Sequence, residues 1–288
     1  MEHGPLKPHR VAARLAVGLL CGGAFGALGA ATALPAAGPA SPASPAARAN
    51  PAGLDWVALP QFDIVRTETT VAQVRRYVQA TGHRSAAEAQ GGGQHYDGGW
   101  VTLPGAHWAR PFGQAGRAAH DDEPAVHLNF TEAQAFCRWA GGQLPSAPQW
   151  WSAAYTEQRP TPPAPWVAGR RYRYPIGDSP AGAQCLQDCG PEAARRGQNH
   201  GFKLPRGHGP ALAGRTPAGV NGLHEMAGNL WEWVDSPANP GDNSPDAERL
   251  TLGGSWWYGE APMRAEHRQG KPPATTVVYI GFRCVRAR

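Results

Sequence analysis

The 288-residue chain is long enough for one large domain or two small ones. It contains 37 glycines, 29 prolines and 11 tryptophans, which favours many loops and short elements around a core of large aromatic side chains. The formal net charge is +5, but the first 48 residues carry four Lys or Arg against one Glu, which leaves +2 for the remainder. A nearly neutral body without a basic run argues against nucleic acid as a partner.

Residues 1–34 have the organisation of an export signal. A basic stretch, MEHGPLKPHRVAAR, precedes the uncharged LAVGLLCGGAFGALGAATAL, which ends in an Ala-x-Ala pattern at 31–33. An uncleaved membrane anchor is the alternative, but the Ala and Gly content makes the span weakly hydrophobic and favours cleavage. The Pro/Ala/Ser-rich residues 35–53 are interpreted as a linker and residues 54–288 as the folded domain. The sequence therefore predicts a periplasmic or secreted protein, which contacts a membrane only if the leader stays uncleaved.

The domain begins with LDWVALPQFDIVRTETT, which alternates like a strand. TTVAQVRRYVQATG follows as a predicted helix, capped by Thr69 or Thr70 and ended by Gly82. The glycine- and histidine-rich residues 82–126 are predicted to be loop.

FTEAQAFCRWAGG is the clearest helix in the sequence. Thr131 and Gln134 fit a capping box at its start. One buried stripe at helical spacing is formed by Ala133, Phe136, Cys137 and Ala140. LPSAPQWWSAAYT predicts a second helix with Ser146 and Gln149 as its capping box.

The rest of the chain is poor in regular elements. Residues 156–220 are predicted to be mostly loop, and NLWEWV and TLGGSWW are strand-like. VVYIGFRCVR closes the chain as a core strand. The fold class is α+β in one domain, with a large irregular fraction.

Four cysteines remain when Cys21 of the leader is set aside. They are Cys137, Cys185, Cys189 and Cys284. An even number in an oxidising compartment indicates disulfides, and four cysteines allow three connectivities.

Several segments together resemble the formylglycine-generating enzyme, or sulfatase-modifying factor, superfamily. They are EPAVHLNFTEAQAFCRWAGGQLPSAPQWW, NGLHEMAGNLWEWV, LGGSWW and IGFRCVR, within residues 54–288. The resemblance implies a C-type-lectin-like α+β fold with little regular secondary structure. SWWYGEAPMRAEH, KPPATTVVYIGFRC and the leader are most similar to an exported branch that acts in maturation of the siderophore pyoverdine.

The formylglycine-generating enzymes of this superfamily oxidise a sulfatase cysteine with copper and dioxygen. Two cysteine thiolates after the Gly-Gly-Ser hold the copper, because Cu(I) prefers soft ligands. The corresponding positions here are Tyr258 and Met263. The resemblance therefore excludes copper held by two cysteines, and it leaves open whether another redox metal is used.

The resemblance also implies a disulfide between Cys137 and Cys284, the alternative being two buried free thiols. A local disulfide between Cys185 and Cys189 is expected. A zinc site that adds His200 and His208 is the alternative for this pair.

One structural calcium site follows from the resemblance. Its ligands map to backbone carbonyls of Glu225, Gly228 and Leu230 and to the side chain of Glu232. The alternative is that Glu232 caps or salt-bridges a nearby turn without a metal.

A candidate catalytic groove lies around the Gly-Gly-Ser turn. Trp231 and Ser255 match residues that line the groove in the superfamily, and a histidine or a carboxylate of raised pKa could transfer protons near neutral pH. The candidate residues are Trp231, Ser255, Tyr258, Glu260, Arg264, Glu266 and His267. The alternative is the rim of a tryptophan-rich core with solvated charges.

These observations favour an exported oxidase-type enzyme that modifies a peptide-derived or other small-molecule substrate, such as a siderophore precursor. The alternative is a lectin-like module that binds a peptide or glycan without catalysis. A true formylglycine-generating enzyme is disfavoured, because no cysteine lies between residues 190 and 283. The sequence does not identify the substrate or the oligomeric state.

Overall fold

The structure is a computed structural model that describes residues 49–96, 99–186, 189, 209–242 and 244–288. The predicted leader and most of the linker lie outside these residues, as do His200 and His208 of the zinc alternative. None of the helices in the described ranges is long and apolar enough to cross a membrane.

Four short α-helices are present in the described part of the chain. They are α1 (Val71–Thr81), α2 (Ala86–Ala89), α3 (Phe130–Trp139) and α4 (Ala147–Tyr155). Each begins at a capping box, in which the N-cap side chain and the side chain three residues later each bond the other's backbone N–H. Thr70 caps α1 and Gly82 ends it in the left-handed conformation, as the sequence predicts.

The strands form three small sheets. The first, in the order β1-β2-β9, joins Trp56–Ala58, Phe62–Val65 and Val285–Ala287. The second is a hairpin of β3 (Gln94–Tyr96) and β4 (Trp100–Thr102). The third, in the order β7-β6-β5-β8, joins Gln269–Lys271, Arg249–Leu252, Trp231–Pro237 and Ile280–Gly281.

The main core packs α1 and α3 against the aromatic residues of β5 and the closing strands. The predicted stripe of α3 is buried, and Cys137 within it is disulfide-bonded to Cys284, with a Cα–Cα distance of 5.5 Å. The predicted local disulfide between Cys185 and Cys189 is also present. Both disulfide predictions are therefore confirmed.

Several sequence expectations are wrong in detail. Residues 82–126 contain α2 and the β3–β4 hairpin rather than loop alone. Asn129 caps α3 with Glu132, in place of Thr131 with Gln134. The closing segment is not one continuous strand, because it divides into β8 and β9 at the buried Arg283.

The packed chain begins a few residues before the boundary predicted at residue 54. Asn50 exchanges two hydrogen bonds with the backbone of Leu54, and Ala52 is fully buried. Arg76 of α1 donates to the carbonyl of Ala52. Residues 50–53 therefore belong to the folded unit.

Candidate functional site

The Gly-Gly-Ser turn follows β6 directly and is fixed by its neighbours. Gly253 and Gly254 adopt φ values of 97° and 76°, which favour glycine. Gly228 N–H donates to the carbonyl of Gly253, and Trp256 N–H donates to that of Asn229. Ser255 is buried within the turn, where its hydroxyl accepts from Trp257 N–H at 3.3 Å. The turn thus brings the segment after residue 255 against the start of β5.

Three of the predicted site residues meet at this point. The ring of Tyr258 packs edge-on to Trp231, with centroids 5.9 Å apart. The exposed His267 also packs against Trp231, with ring centroids 5.6 Å apart. Trp231 is fully buried, and its indole N–H has no acceptor among the described residues.

Further aromatic rings extend this contact towards the β3–β4 hairpin. Tyr279 contacts Tyr258, Trp257 and Trp100 at centroid distances of 5.7, 5.7 and 5.8 Å. The Tyr258 hydroxyl lies 3.5 Å from that of Tyr279. We call the connected rings the aromatic strip: His267, Trp231, Tyr258, Tyr279, Trp257, Trp100 and Tyr96.

Glu260 and Arg264 form a separate ion pair next to the strip. Arg264 donates to both oxygens of Glu260, and the buried Tyr174 donates to the same carboxylate at 2.5 Å. The Tyr174 hydrogen bond, helped by Arg264, holds the pKa of Glu260 below its usual value. This is opposite to the raised pKa that would suit proton transfer near neutral pH, so Glu260 is an ionised, bonded carboxylate in this structure.

The two other candidates for proton transfer, His267 and Glu266, differ in their surroundings. Partial burial lowers the pKa of His267, so its imidazole is neutral near pH 7 and able to accept a proton. Glu266 is exposed, and the contacts that join the other predicted residues do not include it. The structure therefore brings Trp231, Tyr258 and His267 together and leaves Glu266 apart.

The two positions that correspond to the copper cysteines differ in environment. Tyr258 is half-buried in the strip, whereas Met263 is fully buried against Tyr174 and the Cys185–Cys189 disulfide. The four cysteines of the domain are bonded in pairs. A phenol and a buried thioether do not fit the two-thiolate Cu(I) site, since a phenol is a hard ligand. In the described ranges no three His, Cys, Asp or Glu residues are grouped as metal ligands.

The small disulfide also supports the site. Leu186, next to Cys185, donates its backbone N–H to the carbonyl of Tyr258 at 2.9 Å. Tyr155 of α4 donates its hydroxyl to the carbonyl of Met263 at 2.8 Å. The segment 258–263 is thus held from two sides.

Glu232 does not fit the calcium-ligand role that the resemblance implies. Its carboxylate is fully buried and accepts from the Nε–H of Arg283, which lies 2.9 and 2.8 Å from the two oxygens, and from Nη2 of the same side chain at 2.7 Å. Trp150 donates to the same carboxylate at 2.8 Å. Both carboxylate oxygens are therefore hydrogen-bonded within the protein. The arrangement matches the salt-bridge alternative, and calcium binding at this turn stays a prediction.

The other proposed calcium positions shape the same turn. The side chain of Glu225 accepts from Gly214 N–H and from both donors of Thr216. A Cβ at Gly228 would lie 2.3 Å from the carbonyl oxygen of Gln184, so only glycine allows this approach. Leu230 is buried, and its N–H donates to the buried Glu68 at 2.8 Å.

Sequence reasoning missed four residues that shape the site: Trp100, Tyr174, Tyr279 and Arg283. Trp100 had an available signal, because YDGGW places Asp-Gly between β-forming residues, a common hairpin pattern. Tyr174 lies in a loop with no local signal. Tyr279 and Arg283 belong to VVYIGFRCVR, whose sequence predicts only a core strand.

The family model for the sulfatase-modifying factor enzyme 1-like domain matches residues 26–288. The chain belongs to this family. The predicted resemblance is thereby confirmed, and so is the α+β fold with few helices and small sheets. The match begins inside the predicted leader, and the leader boundary at residue 34 stays a prediction.

Among curated relatives, the chain is 28% identical over 257 residues to hercynine oxygenase of Mycolicibacterium thermoresistibile, covering 79% of this chain and 51% of the relative. It is 29% identical over 266 residues to the formylglycine-generating enzyme of Streptomyces coelicolor, covering 79% of each. The chain thus spans about half the length of the hercynine oxygenase it matches.

Among solved structures, PvdO from Pseudomonas aeruginosa aligns with a TM-score of 0.51 at 18% identity, covering 79% of this chain and 80% of that one. At this identity the likeness shows the fold alone.

Proposed function

We propose that this chain is an exported oxidase-type enzyme that modifies a peptide-derived substrate, such as a siderophore precursor, without a two-cysteine copper site. The observation that carries the proposal is the aromatic strip at the Gly-Gly-Ser turn, with Tyr258 where the family's enzymes have a copper cysteine. Oxygenases and formylglycine-generating enzymes among the relatives support an oxidative reaction. Two disulfides support work in an oxidising compartment.

In this proposal the residues of the strip have different roles. The half-buried Tyr258 provides the surface on which an aromatic or apolar part of the substrate rests, and the fully buried Trp231 packs against it and fixes its position. His267 accepts a proton from the substrate, because its imidazole is neutral near pH 7 and exposed beside Trp231. The ion pair of Glu260 and Arg264 positions the 258–264 segment and does not itself transfer a proton.

Oxygen uptake tests the proposal. The purified protein is supplied in air with a panel of substrates: a siderophore-precursor peptide with an electron-rich aromatic group, hercynine, and a Cys-x-Pro-x-Arg peptide. We expect substrate-dependent oxygen uptake with the precursor peptide, and its loss in His267→Ala. Glu260→Gln is the matched control, because it removes a nearby ionisable group that the proposal leaves out of proton transfer, and it should keep more activity than His267→Ala.

The same panel tests the copper argument. We expect no aldehyde on the Cys-x-Pro-x-Arg peptide even after loading with copper, because Tyr258 and Met263 do not supply two thiolates. Aldehyde formation by the purified protein would show that the chain is a formylglycine-generating enzyme.

A binding module is the second candidate, and the exposed hairpin favours it. Three of the four exposed large hydrophobic residues in the described part of the chain, Tyr96, Trp100 and Val101, lie on β3 and β4. Grouped exposed apolar side chains often mark a binding surface. Saturable binding of the precursor peptide without any oxygen uptake would favour this candidate over the enzyme.

A further inference from the structure

A pocket of about 260 Å³ opens at the hairpin end of the aromatic strip. Trp100 and Tyr279, with ring centroids 5.8 Å apart, form its aromatic wall. Gln94, Lys271 and Thr275 bring polar groups to it. The pocket therefore combines flat apolar surface with a cation and hydrogen-bonding groups, as small-molecule sites do.

The aromatic wall is available to a ligand. Trp100 is 50% exposed, although a tryptophan usually buries most of its ring. Its contact with the buried Tyr279 fixes one part of the indole and leaves the other part facing solvent. An aromatic ring in the pocket would cover this surface and gain offset or edge contacts with both residues.

Lys271 supplies the positive charge. The residue is half-buried, and this burial lowers the pKa of its amine, while Glu248 acts in the opposite direction. In the described ranges no carboxylate lies within 4 Å of the amine. A partly desolvated ammonium without a close counter-ion is unfavourable, and a bound anion would relieve that cost.

We propose that this pocket binds an aromatic ligand that carries a carboxylate, with the ring against Trp100 and Tyr279 and the carboxylate at Lys271. The pocket shares Tyr279 with the strip, and the Tyr279 hydroxyl lies 3.5 Å from that of Tyr258. The ligand is accordingly the acidic aromatic part of the substrate, and in this respect the inference rests on the proposed function. The volume suits a single ring with a short acidic side chain.

Three matched probes test the inference in ligand-observed NMR titrations of the purified protein. They are 3-phenylpropionate, its neutral amide, and 3-cyclohexylpropionate, which keeps the charge but lacks the aromatic ring. We expect the acid to bind about tenfold more tightly than the amide, because a charge-assisted contact contributes roughly that factor. The cyclohexyl acid should also bind more weakly than the phenyl acid.

Variants assign the binding to this pocket. Lys271→Met should weaken binding of 3-phenylpropionate about tenfold and leave the amide within about twofold. Trp100→Ala should weaken both. Val167→Ala is the control, because it shortens an exposed apolar side chain that does not line the pocket, and it should change neither affinity.

Equal affinities for acid and amide, an acid affinity unaffected by Lys271→Met, or no saturable binding of any probe would each overturn the inference. The outcomes also separate it from the proposed function. Acid binding that requires Lys271, with no oxygen uptake from any acidic aromatic peptide, would support the ligand pocket and reject the proposed enzyme activity. Oxygen uptake that requires His267 but keeps an unchanged KM in Lys271→Met and Trp100→Ala would support the enzyme activity and reject the ligand pocket.

Discussion

Removal of the Cys137–Cys284 disulfide should destabilise the domain far more than removal of Cys185–Cys189. The first bond closes a loop with a sequence separation of 147, and the second one with a separation of 4. The loop-entropy relation gives losses in the free energy of unfolding of about 5 kcal/mol and about 2 kcal/mol respectively. All four cysteines are buried to a similar degree, so the loss of packing on truncation to alanine largely cancels in the comparison.

Two double variants measure this difference: Cys137→Ala with Cys284→Ala, and Cys185→Ala with Cys189→Ala. Urea unfolding is followed by tryptophan fluorescence and by far-UV circular dichroism, and coincident transitions are required before free energies are compared. We expect the long-range pair to lose about 3 kcal/mol more than the local pair. Equal losses for the two pairs would refute the reasoning from loop length.

Three further predictions concern buried charge, metal and pH. Arg283→Met should lower the free energy of unfolding in a urea titration by about 3–5 kcal/mol, because it leaves the charge of the buried Glu232 uncompensated. Arg66→Met is the control, because it removes an exposed ion pair, and it should lower the free energy of unfolding by less than about 1 kcal/mol. Calcium binding and the salt-bridge alternative for Glu232 predict different responses to excess EGTA: the alternative leaves the melting temperature unchanged, because both carboxylate oxygens are already hydrogen-bonded, whereas loss of calcium from this turn lowers it by several degrees. Burial lowers the pKa of His127 to about 4, below an unfolded value of about 6.5, so its contribution to stability is complete above pH 6.5 and is lost as the pH falls towards 4. Urea titrations at pH 7 and pH 5 should show this loss, and it should be smaller in His127→Asn; an equal loss in the variant would assign it to other groups.

The helices were largely predictable because their signals are local. The cap of α3 shows where such a signal becomes ambiguous. Asn129 with Glu132 and Thr131 with Gln134 are overlapping capping boxes in the same sequence. The structure uses the first, and Glu132 also accepts from Ala86 N–H at 2.7 Å and lies 3.1 Å from His83. Contacts with a distant segment therefore decide between two starts that local chemistry allows.

The candidate site was predictable only where a motif marks it. The Gly-Gly-Ser turn and the tryptophan of β5 identify Trp231 and Tyr258. The pocket of Trp100, Lys271 and Tyr279 joins three segments that share no pattern, and the topology alone brings them together. Glu260 shows a second limit of prediction from the sequence. Its position shortly after the Gly-Gly-Ser turn predicts a role in proton transfer. In the structure, however, a hydrogen bond from Tyr174, 86 residues away, lowers its pKa.

The last residues of the chain carry an unusual share of the contacts that close the domain. Residues 280–287 supply β8 beside β5, β9 beside β2, the partner of Cys137 and the guanidinium that neutralises Glu232. Arg286 binds Asp63 across 223 positions. Contacts between such distant segments form late, because the entropy of closing a long loop is lost before they contribute. During synthesis, β2 lacks β9 and Cys137 of α3 lacks its disulfide partner until residues 280–287 have emerged. The contacts that close the domain are therefore completed only after these residues are made.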